Sequence, residues 1–334
     1  MIISRTPYRV SLFGGGTDYP TWFQEHGGAV LGMAINKYCY ISVRHLPPFF
    51  DHKHRIVYSE VENVKTTEEI RHPAVRAIFQ EMDITQGLEI HHDGDLPARS
   101  GLGSSSSFVV GLLNALNALN GHTSGMQYLA EKATHIEQQV LKENVGNQDQ
   151  IWAAHGGFSR IDFSQDGSYR HSPLIVSPDR ERELLGSMMM FFTGISRYAT
   201  DIAGKKIANL KNRQNHIKTM AGMVGEAESI LGSPDASLKE VGKMLHDSWL
   251  LKRGIADGVS NEKVDEIYQA GLDAGAVGGK VLGAGGGGFI LFYVEPENQK
   301  SVRERLAKLT EVSFGIDWSG SKIVVYEPDG LETR

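Results

Sequence analysis

Residues 97–107 hold two glycines and a run of four serines directly before an apolar stretch. Gly101 and Gly103 permit a close backbone approach and positive φ angles. If the serines begin a helix, its first N–H groups face outward without a partner, and the helix dipole favours an anion there. An ordinary helix cap would explain one or two serines, but this number exceeds what a cap requires. The segment is therefore predicted to bind phosphate groups.

A second glycine run lies at residues 283–288 and formally matches the GxGxxG pattern of dinucleotide-binding proteins. An apolar strand is predicted directly after it, at residues 289–294, where that pattern needs a helix. A dinucleotide site is therefore rejected, and the spacing of a Walker A loop occurs nowhere in the chain. The small residues instead predict backbone that lies close to a ligand or to another loop. A plain glycine-rich turn is the alternative.

Near the N-terminus, an alternating segment at residues 8–13 leads into three glycines and then Thr17 and Asp18. The glycines at 14–16 remove side chains where a polyol could approach the backbone. The Asp18 carboxylate could then accept hydrogen bonds from two hydroxyls. A hairpin turn explains the same residues equally well.

Two acidic residues are candidates for catalysis or metal binding. Glu137 lies in a predicted helix, and Asp149 follows in a short polar segment near Gly146. Phosphoryl transfer needs magnesium, a cation, and a group that orients or deprotonates the acceptor hydroxyl. Carboxylates suit the first and the last of these tasks. Taken singly, each acid would more often be a surface charge or a helix cap. The histidines at 52, 54, 91 and 92 lack the spacing of a metal site.

The chain has 334 residues, a formal net charge of −6 and one cysteine, Cys39. It has no dense lysine or arginine tract, which argues against a nucleic-acid-binding protein. No apolar run approaches the roughly 18 residues that span a bilayer, which argues against a membrane protein, and no signal peptide is recognisable. A cytoplasmic location is therefore expected. Because the chain is acidic overall, it must bind an anion through local dipoles, a metal ion or a few placed cations.

The elements that would position these residues follow from hydrophobic periodicity. Strands are predicted at residues 29–44, 56–64, 88–91, 159–175, 188–193, 289–294 and 322–326. Helices are predicted at residues 73–82, 108–119, 126–142, 200–231, 237–254, 261–274 and 298–309. Strands and helices are mixed without strict βαβ alternation, which indicates an α+β fold with a domain boundary near residues 175–185.

Three segments, residues 9–18, 97–106 and 283–288, resemble in type and order the three signatures of the GHMP kinases. That superfamily includes galactokinase, homoserine kinase, mevalonate kinase and phosphomevalonate kinase. The resemblance covers essentially the whole chain, and the PxxxGLGSSS loop is highly specific. It implies a two-domain α+β fold with the active site in the cleft between an ATP-binding domain (1–180) and a C-terminal domain (181–334). It also implies ATP and Mg²⁺ as cofactors.

The resemblance further implies roles for individual residues. Asp149 and Arg9 would be catalytic, and Ser105 and Glu137 would bind the metal. The ATP-binding residues would be Pro97, Gly101, Leu102, Gly103, Ser104, Ser105 and Ser106. The substrate-binding residues would be Gly15, Gly16, Thr17, Asp18, Arg197, Gly285 and Gly286.

Departures from the family patterns narrow the substrate. Galactokinases have Glu-His before Thr-Asp-Tyr, where this chain has Gly15 and Gly16, which speaks against galactose. Residues 13–20, 145–150 and 193–197 look most like the heptose phosphate kinases of the superfamily. This likeness implies phosphorylation of the anomeric hydroxyl of D-glycero-D-manno-heptose 7-phosphate, for nucleotide-heptose synthesis in surface polysaccharide. Because that sugar is already phosphorylated, a second anion site is expected near Arg197, Lys205 and Lys206.

Three other functions are compatible with parts of the sequence. The first is another sugar 1-kinase of the superfamily, such as a fucose kinase. The second is an inactive sensor of small molecules, which the joint presence of Arg9, Glu137 and Asp149 disfavours. The third is a dinucleotide-binding oxidoreductase, which the strand after residue 288 disfavours. The sequence does not determine the oligomeric state.

Overall fold

The computed structural model describes residues 1–195, 204, 207 and 209–328. Its strands are β1 (Ile2–Phe13), β2 (Gly28–His45), β3 (His54–Val57), β4 (Val61–Val64), β5 (Leu88–Gly94), β6 (Phe158–Phe163), β7 (Tyr169–Pro173), β8 (Met188–Phe192), β9 (Gly278–Val281), β10 (Phe289–Tyr293), β11 (Thr310–Glu311) and β12 (Lys322–Tyr326). Its helices are α1 (Pro20–His26), α2 (Pro73–Glu81), α3 (Ser104–Leu119), α4 (Met126–His135), α5 (Gln148–His155), α6 (Pro178–Gly186), α7 (Gln214–Gly232), α8 (Lys239–Arg253), α9 (Glu262–Asp273) and α10 (Gln299–Arg305). The predicted α+β class is confirmed.

The first sheet is built around the long strand β2. The strands of this sheet lie in the order β12-β1-β2-β5-β3-β4, and the β6–β7 hairpin pairs through β6 with the first half of β2. Only the β3–β5 pair is parallel among the described strands of this sheet. Helix α3 is apolar on nearly all sides and is buried from Ser106 to Leu119, as expected of a helix in the core. Its N-terminus therefore has a fixed position.

The second sheet has the order β11-β8-β10-β9 and is antiparallel. Every residue of β9 and β10 is buried, which fits the uninterrupted apolar run of β10 in the sequence. Rings from this sheet and from two helices pack together, with Tyr268 between Trp249 and Phe292. This cluster packs beside the glycine run, which connects the edge strand β9 to its neighbour β10.

The two sheets meet through hydrogen bonds to main-chain oxygens beside the glycine segments. Phe289 N donates to Ser100 O over 3.1 Å, and Lys280 Nζ donates to Leu12 O over 2.6 Å. After the second sheet the chain returns to the first, because β12 pairs with β1. The division into residues 1–180 and 181–334 stays a prediction, and the strand pairing adds that residues 322–326 lie in the first sheet.

Helices α1, α5 and α6 were not predicted, so Asp149 lies in a helix and not in the expected short polar segment. Three of the predicted helices also differ from the observed ones. The helix predicted over 126–142 is α-helical only to His135 and continues as a π-helical turn, Ile136–Val140. The helix predicted over 298–309 ends at Arg305. Of the helix predicted over 200–231, the structure shows α7, Gln214–Gly232. Most of the residues before 209 lie outside the described part of the chain. In the part of the chain that is described, no helix is long and apolar enough to cross a membrane.

Candidate active site

The glycine-serine segment forms a loop that ends at the N-terminus of α3. Gly103 is the N-cap in the left-handed conformation, with φ 75°, and Gly101 has φ 85°. The first intrahelical bond runs from Ser107 N to Gly103 O over 2.9 Å. The N–H groups of the three preceding serines are therefore outside the helical bonding pattern, at the positive end of the dipole. This geometry agrees with the predicted phosphate site.

Both loop glycines have close neighbours in addition to their positive φ angles. A Cβ atom on Gly103 would lie 3.2 Å from Arg9 Cγ and 3.3 Å from Asp149 Oδ2. A Cβ atom on Gly101 would lie 2.6 Å from Leu282 O. The loop is thus enclosed between Arg9 and Asp149 on one side and the third glycine run on the other.

Arg9 joins the three parts of this site. Its Nε donates to Asp149 Oδ1 and its Nη2 donates to Asp149 Oδ2, each over 2.7 Å. Its Nη1 donates to Gly101 O over 2.6 Å, and its main-chain N–H donates to Leu102 O over 3.0 Å. A buried guanidinium with this fork of donors fixes a carboxylate in one orientation. The end of β1, the loop and the start of α5 are therefore held together.

Asp149 lies in the first turn of α5 and is the reachable member of its ion pair. Its side chain is 23% exposed, whereas that of Arg9 is 6% exposed. The carboxylate therefore has one side against Arg9 and another toward the space beside Gly103. An acceptor hydroxyl placed there would reach a carboxylate oxygen, as the catalytic prediction for Asp149 requires.

Glu137 lies in the π-helical turn and is fully buried. Its Oε2 accepts hydrogen bonds from Ser106 Oγ, over 2.8 Å, and from Gln150 Nε2. Burial raises the pKa of Glu137 to about 8, although the hydrogen bonds from Gln150 and Ser106 act in the opposite direction. The structure thus favours the neutral acid unless a cation approaches.

The donors around Glu137 suit a magnesium ion that is bound mainly by phosphate. One carboxylate and a serine hydroxyl are hard oxygen donors, and Mg²⁺ usually takes one or two carboxylates together with substrate phosphates and water. No cluster of three or more His, Cys, Asp or Glu side chains suited to a metal occurs among the described residues. A site of the shared type therefore fits better than a cage made by protein alone.

The four serines have different surroundings. Ser104 Oγ accepts from Arg99 N over 3.1 Å, and Ser107 Oγ donates to Pro7 O over 2.8 Å. Ser105 is exposed at the helix start, and Ser106 is the serine that contacts Glu137. The pairing of Ser105 with Glu137 as metal-binding residues stays a prediction, and the observed contact adds Ser106, one position or about 100° further around the helix, as a second candidate.

The N-terminal glycine loop lies beside the start of α5. Thr17 is buried, and its Oγ1 lies 2.9 Å from Gly14 O and 2.8 Å from Ala29 O. Asp18 is also buried and accepts from Gly16 N over 2.8 Å and from Gln148 Nε2 over 2.7 Å. Thr17 and Asp18 thus hold the shape of the loop, and their contact with a substrate stays a prediction.

The third glycine run packs against the glycine-serine loop, which is the close approach to another loop that its small residues predict. A Cβ atom on Gly283 would lie 2.5 Å from Gly101 Cα, and one on Gly288 would lie 2.1 Å from Ser100 O. Gly286 N donates to Val259 O over 2.8 Å, and a Cβ atom on Gly285 would lie 2.5 Å from the same oxygen. Gly285 and Gly286 thus contact Val259, whereas Gly283 and Gly288 contact the glycine-serine loop. Arg197, Lys205 and Lys206 lie outside the described residues.

Sequence reasoning missed two residues of the site, Gln148 and Gln150. Each donates its side-chain amide to one of the buried carboxylates, Asp18 and Glu137 respectively. Their position on either side of Asp149 was the available signal. Residue type and spacing alone did not distinguish these two glutamines from ordinary ones, because most glutamines lie exposed on the surface.

Two models of known protein families match the sequence of this chain. Residues 68–157 match the N-terminal domain of the GHMP kinases, and residues 233–311 match the C-terminal domain. The chain belongs to the GHMP kinase family. The glycine-serine loop, with Ser105 and Ser106, and Glu137 lie within the first match.

Individual relatives of this GHMP kinase are sugar kinases. It is 30% identical to the D-glycero-alpha-D-manno-heptose 7-phosphate kinase of Campylobacter jejuni, over 96% of this chain and 97% of that protein. It is 26% identical to the bifunctional fucokinase/GDP-fucose pyrophosphorylase of Arabidopsis thaliana, over 94% of this chain and 32% of that longer protein.

Among solved structures, the fold is similar to that of a D-glycero-D-manno-heptose 1-phosphate kinase from Bacteroides thetaiotaomicron. The TM-score is 0.78 at 24% identity, with 98% of this chain and 100% of that chain covered. The two-domain kinase fold predicted from the sequence is confirmed, and this GHMP kinase is a phosphotransferase that acts on a sugar or a sugar phosphate.

Proposed function

We propose that this GHMP kinase transfers the γ-phosphoryl group of ATP to the anomeric hydroxyl of D-glycero-D-manno-heptose 7-phosphate. One observation carries the chemical part of the proposal. Arg9 holds the Asp149 carboxylate directly beside the loop that begins α3, with Asp149 Oδ2 only 3.3 Å from the Cβ position of Gly103. A base for the acceptor and a site for the phosphates therefore adjoin each other.

In the proposed reaction, the acceptor hydroxyl lies between Asp149 and the γ-phosphorus. Its oxygen forms a bond to phosphorus while the bond from phosphorus to the β–γ bridging oxygen breaks, and ADP leaves with that oxygen. The proton of the hydroxyl moves to a carboxylate oxygen of Asp149. Arg9 keeps the carboxylate in place, and the N–H groups at the start of α3 stabilise charge on the phosphates.

Glu137, with Ser105 or Ser106, would hold the magnesium ion of the nucleotide. The ion supplies charge neutralisation on the phosphates when it is bound. Ser106 already contacts Glu137, and Ser105 is exposed beside the loop. Both hydroxyls are therefore kept as candidate ligands in the proposal.

The choice of sugar rests on the relatives. The Campylobacter protein is named for heptose 7-phosphate and aligns over nearly the whole length of both chains. The structural neighbour is titled a heptose 1-phosphate kinase, which agrees on the heptose. We infer that Arg197 contributes to binding the phosphate that the sugar already carries. Arg197 follows β8 closely in sequence, and a guanidinium offers a fork of donors suited to phosphate.

A substrate panel tests the proposal. ATP and Mg²⁺ are supplied with heptose 7-phosphate, unphosphorylated heptose, fucose or galactose, and ADP release is measured together with the ³¹P spectrum of the product. We expect turnover with heptose 7-phosphate and a new phosphate signal coupled to the anomeric proton. If kcat/KM is higher for fucose than for heptose 7-phosphate, the proposed substrate is wrong, and fucose, the sugar of the fucokinase relatives, takes its place. Equal use of the heptose with and without its 7-phosphate would remove the second anion site.

A further inference from the structure

Two glutamines flank Asp149, and each donates its amide to a different buried carboxylate. Gln148 Nε2 donates to Asp18 Oδ2 over 2.7 Å, and Gln150 Nε2 donates to Glu137 Oε2. Carboxylate oxygens of ionised acids only accept, so the amide nitrogen of Gln148 must face Asp18. The first turn of α5 is thus joined to the N-terminal glycine loop on one side and to the π-helical turn on the other.

We propose that Gln148 and Gln150 are positioning residues that hold Asp149 between the loop that receives the sugar and the carboxylate that serves the magnesium ion of the nucleotide. The proposal rests on the roles of Asp149 and Glu137 in the proposed function. It also gives Asp18 a new role, in which this carboxylate orients Asp149 through Gln148.

The surroundings of Asp18 support this role. Its Oδ1 accepts from Gly16 N over 2.8 Å, and its main-chain oxygen accepts from Asn147 N over 3.0 Å. A Cβ atom on Gly146 would lie 1.8 Å from Asp18 Oδ2, so only glycine fits at that position. The segment 146–148 therefore follows the surface of Asp18 closely, and it leads directly into Asp149.

The surroundings of Gln150 support the second half of the proposal. Gln150 is fully buried, and Glu137 accepts from both Gln150 and Ser106. The Oε1 atoms of Gln148 and Gln150 are enclosed, and neither has a hydrogen-bond partner in the described part of the chain. An enclosed oxygen without a partner lowers stability, so its presence needs another explanation. Stability alone therefore does not explain why glutamine occupies both positions.

The proposal predicts that the two glutamines serve different sides of the site. Gln148→Met and Gln150→Met each remove the amide donor at similar volume. Loss of a hydrogen bond to a charged group lowers binding or rate about tenfold or more. We expect Gln148→Met to lower kcat/KM for the sugar by about tenfold, with the Kd of Mg·ATP unchanged. We expect Gln150→Met to raise the Mg²⁺ concentration for half-maximal ATP binding about tenfold, measured by calorimetry without sugar.

A reversed pair distinguishes positioning from a general loss of structure. Gln148→Glu places a second carboxylate against Asp18, and the two groups repel each other. Adding Asp18→Asn restores a donor–acceptor pair in the opposite direction, because the asparagine oxygen can still accept from Gly16 N. We expect Gln148→Glu to lose more activity than Gln148→Met and the double variant to regain most of it.

The matched control is Gln127→Met on α4. Gln127 Nε2 donates to Glu131 Oε1 over 2.8 Å at an exposed position, so the same kind of bond is removed away from the site. This variant should keep all wild-type parameters.

The proposal is overturned if the double variant is no more active than Gln148→Glu, or if both methionine variants alter sugar and Mg²⁺ dependence equally. If the wild type phosphorylates no sugar, the proposed function fails, and calorimetry on Gln150→Met still decides the contact with Glu137.

Discussion

At the scale of single residues, the site depends on side chains that make several contacts at once. Arg9 binds both oxygens of Asp149 and the Gly101 carbonyl with three different nitrogens. Lysine has one nitrogen and no planar fork, so it could not replace this set of contacts. The identity of residue 9 therefore determines how the Asp149 carboxylate is oriented relative to the glycine-serine loop.

The first prediction concerns Asp149→Asn, which keeps the shape of the side chain and removes its basic oxygen. General-base catalysis typically contributes on the order of 10²–10⁴ in rate, so kcat should fall by about that factor. Steady-state kinetics measures this loss, and calorimetry should show nearly unchanged binding of Mg·ATP. Wild-type turnover would rule out the role of Asp149. A loss of only about tenfold would leave positioning of the hydroxyl as its function.

The second prediction concerns the buried carboxyl of Glu137. Its pKa is raised from 4.5 to about 8 by burial, so the neutral acid contributes stability below pH 4.5 that is lost as the pH rises through 8. Glu137→Gln stays neutral throughout. Without metal, the unfolding free energy of the variant relative to wild type should therefore increase by about 1.4 kcal/mol per pH unit across that interval. Chemical denaturation at pH 5, 6.5 and 8 checks the slope, and a flat difference would contradict the neutral state of Glu137.

At the scale of elements, the sequence predicted the strands and helices well where one pattern dominated. The apolar run of β10 and the apolar helix α3 are examples. The π-helical turn was not predictable, because the bond from Leu141 N to Ile136 O competes with α-helical bonds only when Glu137 has partners on other elements. Ser106 was predicted among the ATP-binding residues, but its contact with Glu137 was not, since the phase of α3 depends on Gly103 as its N-cap.

The third prediction tests the start of α3 with two glycine variants. Gly103→Ala and Gly121→Ala place alanine at φ 75° and 77°, so each should lose about 1–2 kcal/mol of stability. A Cβ atom on Gly121 has nothing within 4 Å, whereas one on Gly103 meets Arg9 and Asp149. Only Gly103→Ala should therefore lose most of the activity. Equal activity of the two variants at equal stability would show that the contact with Arg9 has no role in the reaction.

At the scale of the whole molecule, neutral histidines accept main-chain hydrogen bonds, between strands at His54 and at a helix start at His72. His54 Nδ1 accepts from Leu88 N over 3.4 Å, and His72 Nδ1 accepts from Val75 N over 3.4 Å at the start of α2. Burial lowers the pKa of His54, His72 and His155 from 6.5 to about 4 in each case. Protonation would remove the acceptors that His54 and His72 supply.

The fourth prediction follows from these lowered pKa values. Their contribution to stability is present above pH 6.5 and is lost as the pH falls through about 4, because the unfolded chain binds protons that the folded chain excludes. The melting temperature should therefore fall steeply between these values. His72→Asn keeps an acceptor at the N-cap and does not titrate. It should lose less stability than wild type over the same interval, and an identical pH profile would contradict the role of His72.

The pairing of β12 with β1 has a consequence for the synthesis of the protein. Arg9 lies on a strand whose first residues, from Ile2 to Arg5, pair with residues 322–326. During translation, the ribosome produces β1 first and its partner strand only after both sheets are otherwise complete. One edge of β1 therefore stays open for nearly the whole elongation time, and an open edge can pair with strands of other chains. Nascent chains that stall before residue 322 are thus expected to need chaperone protection.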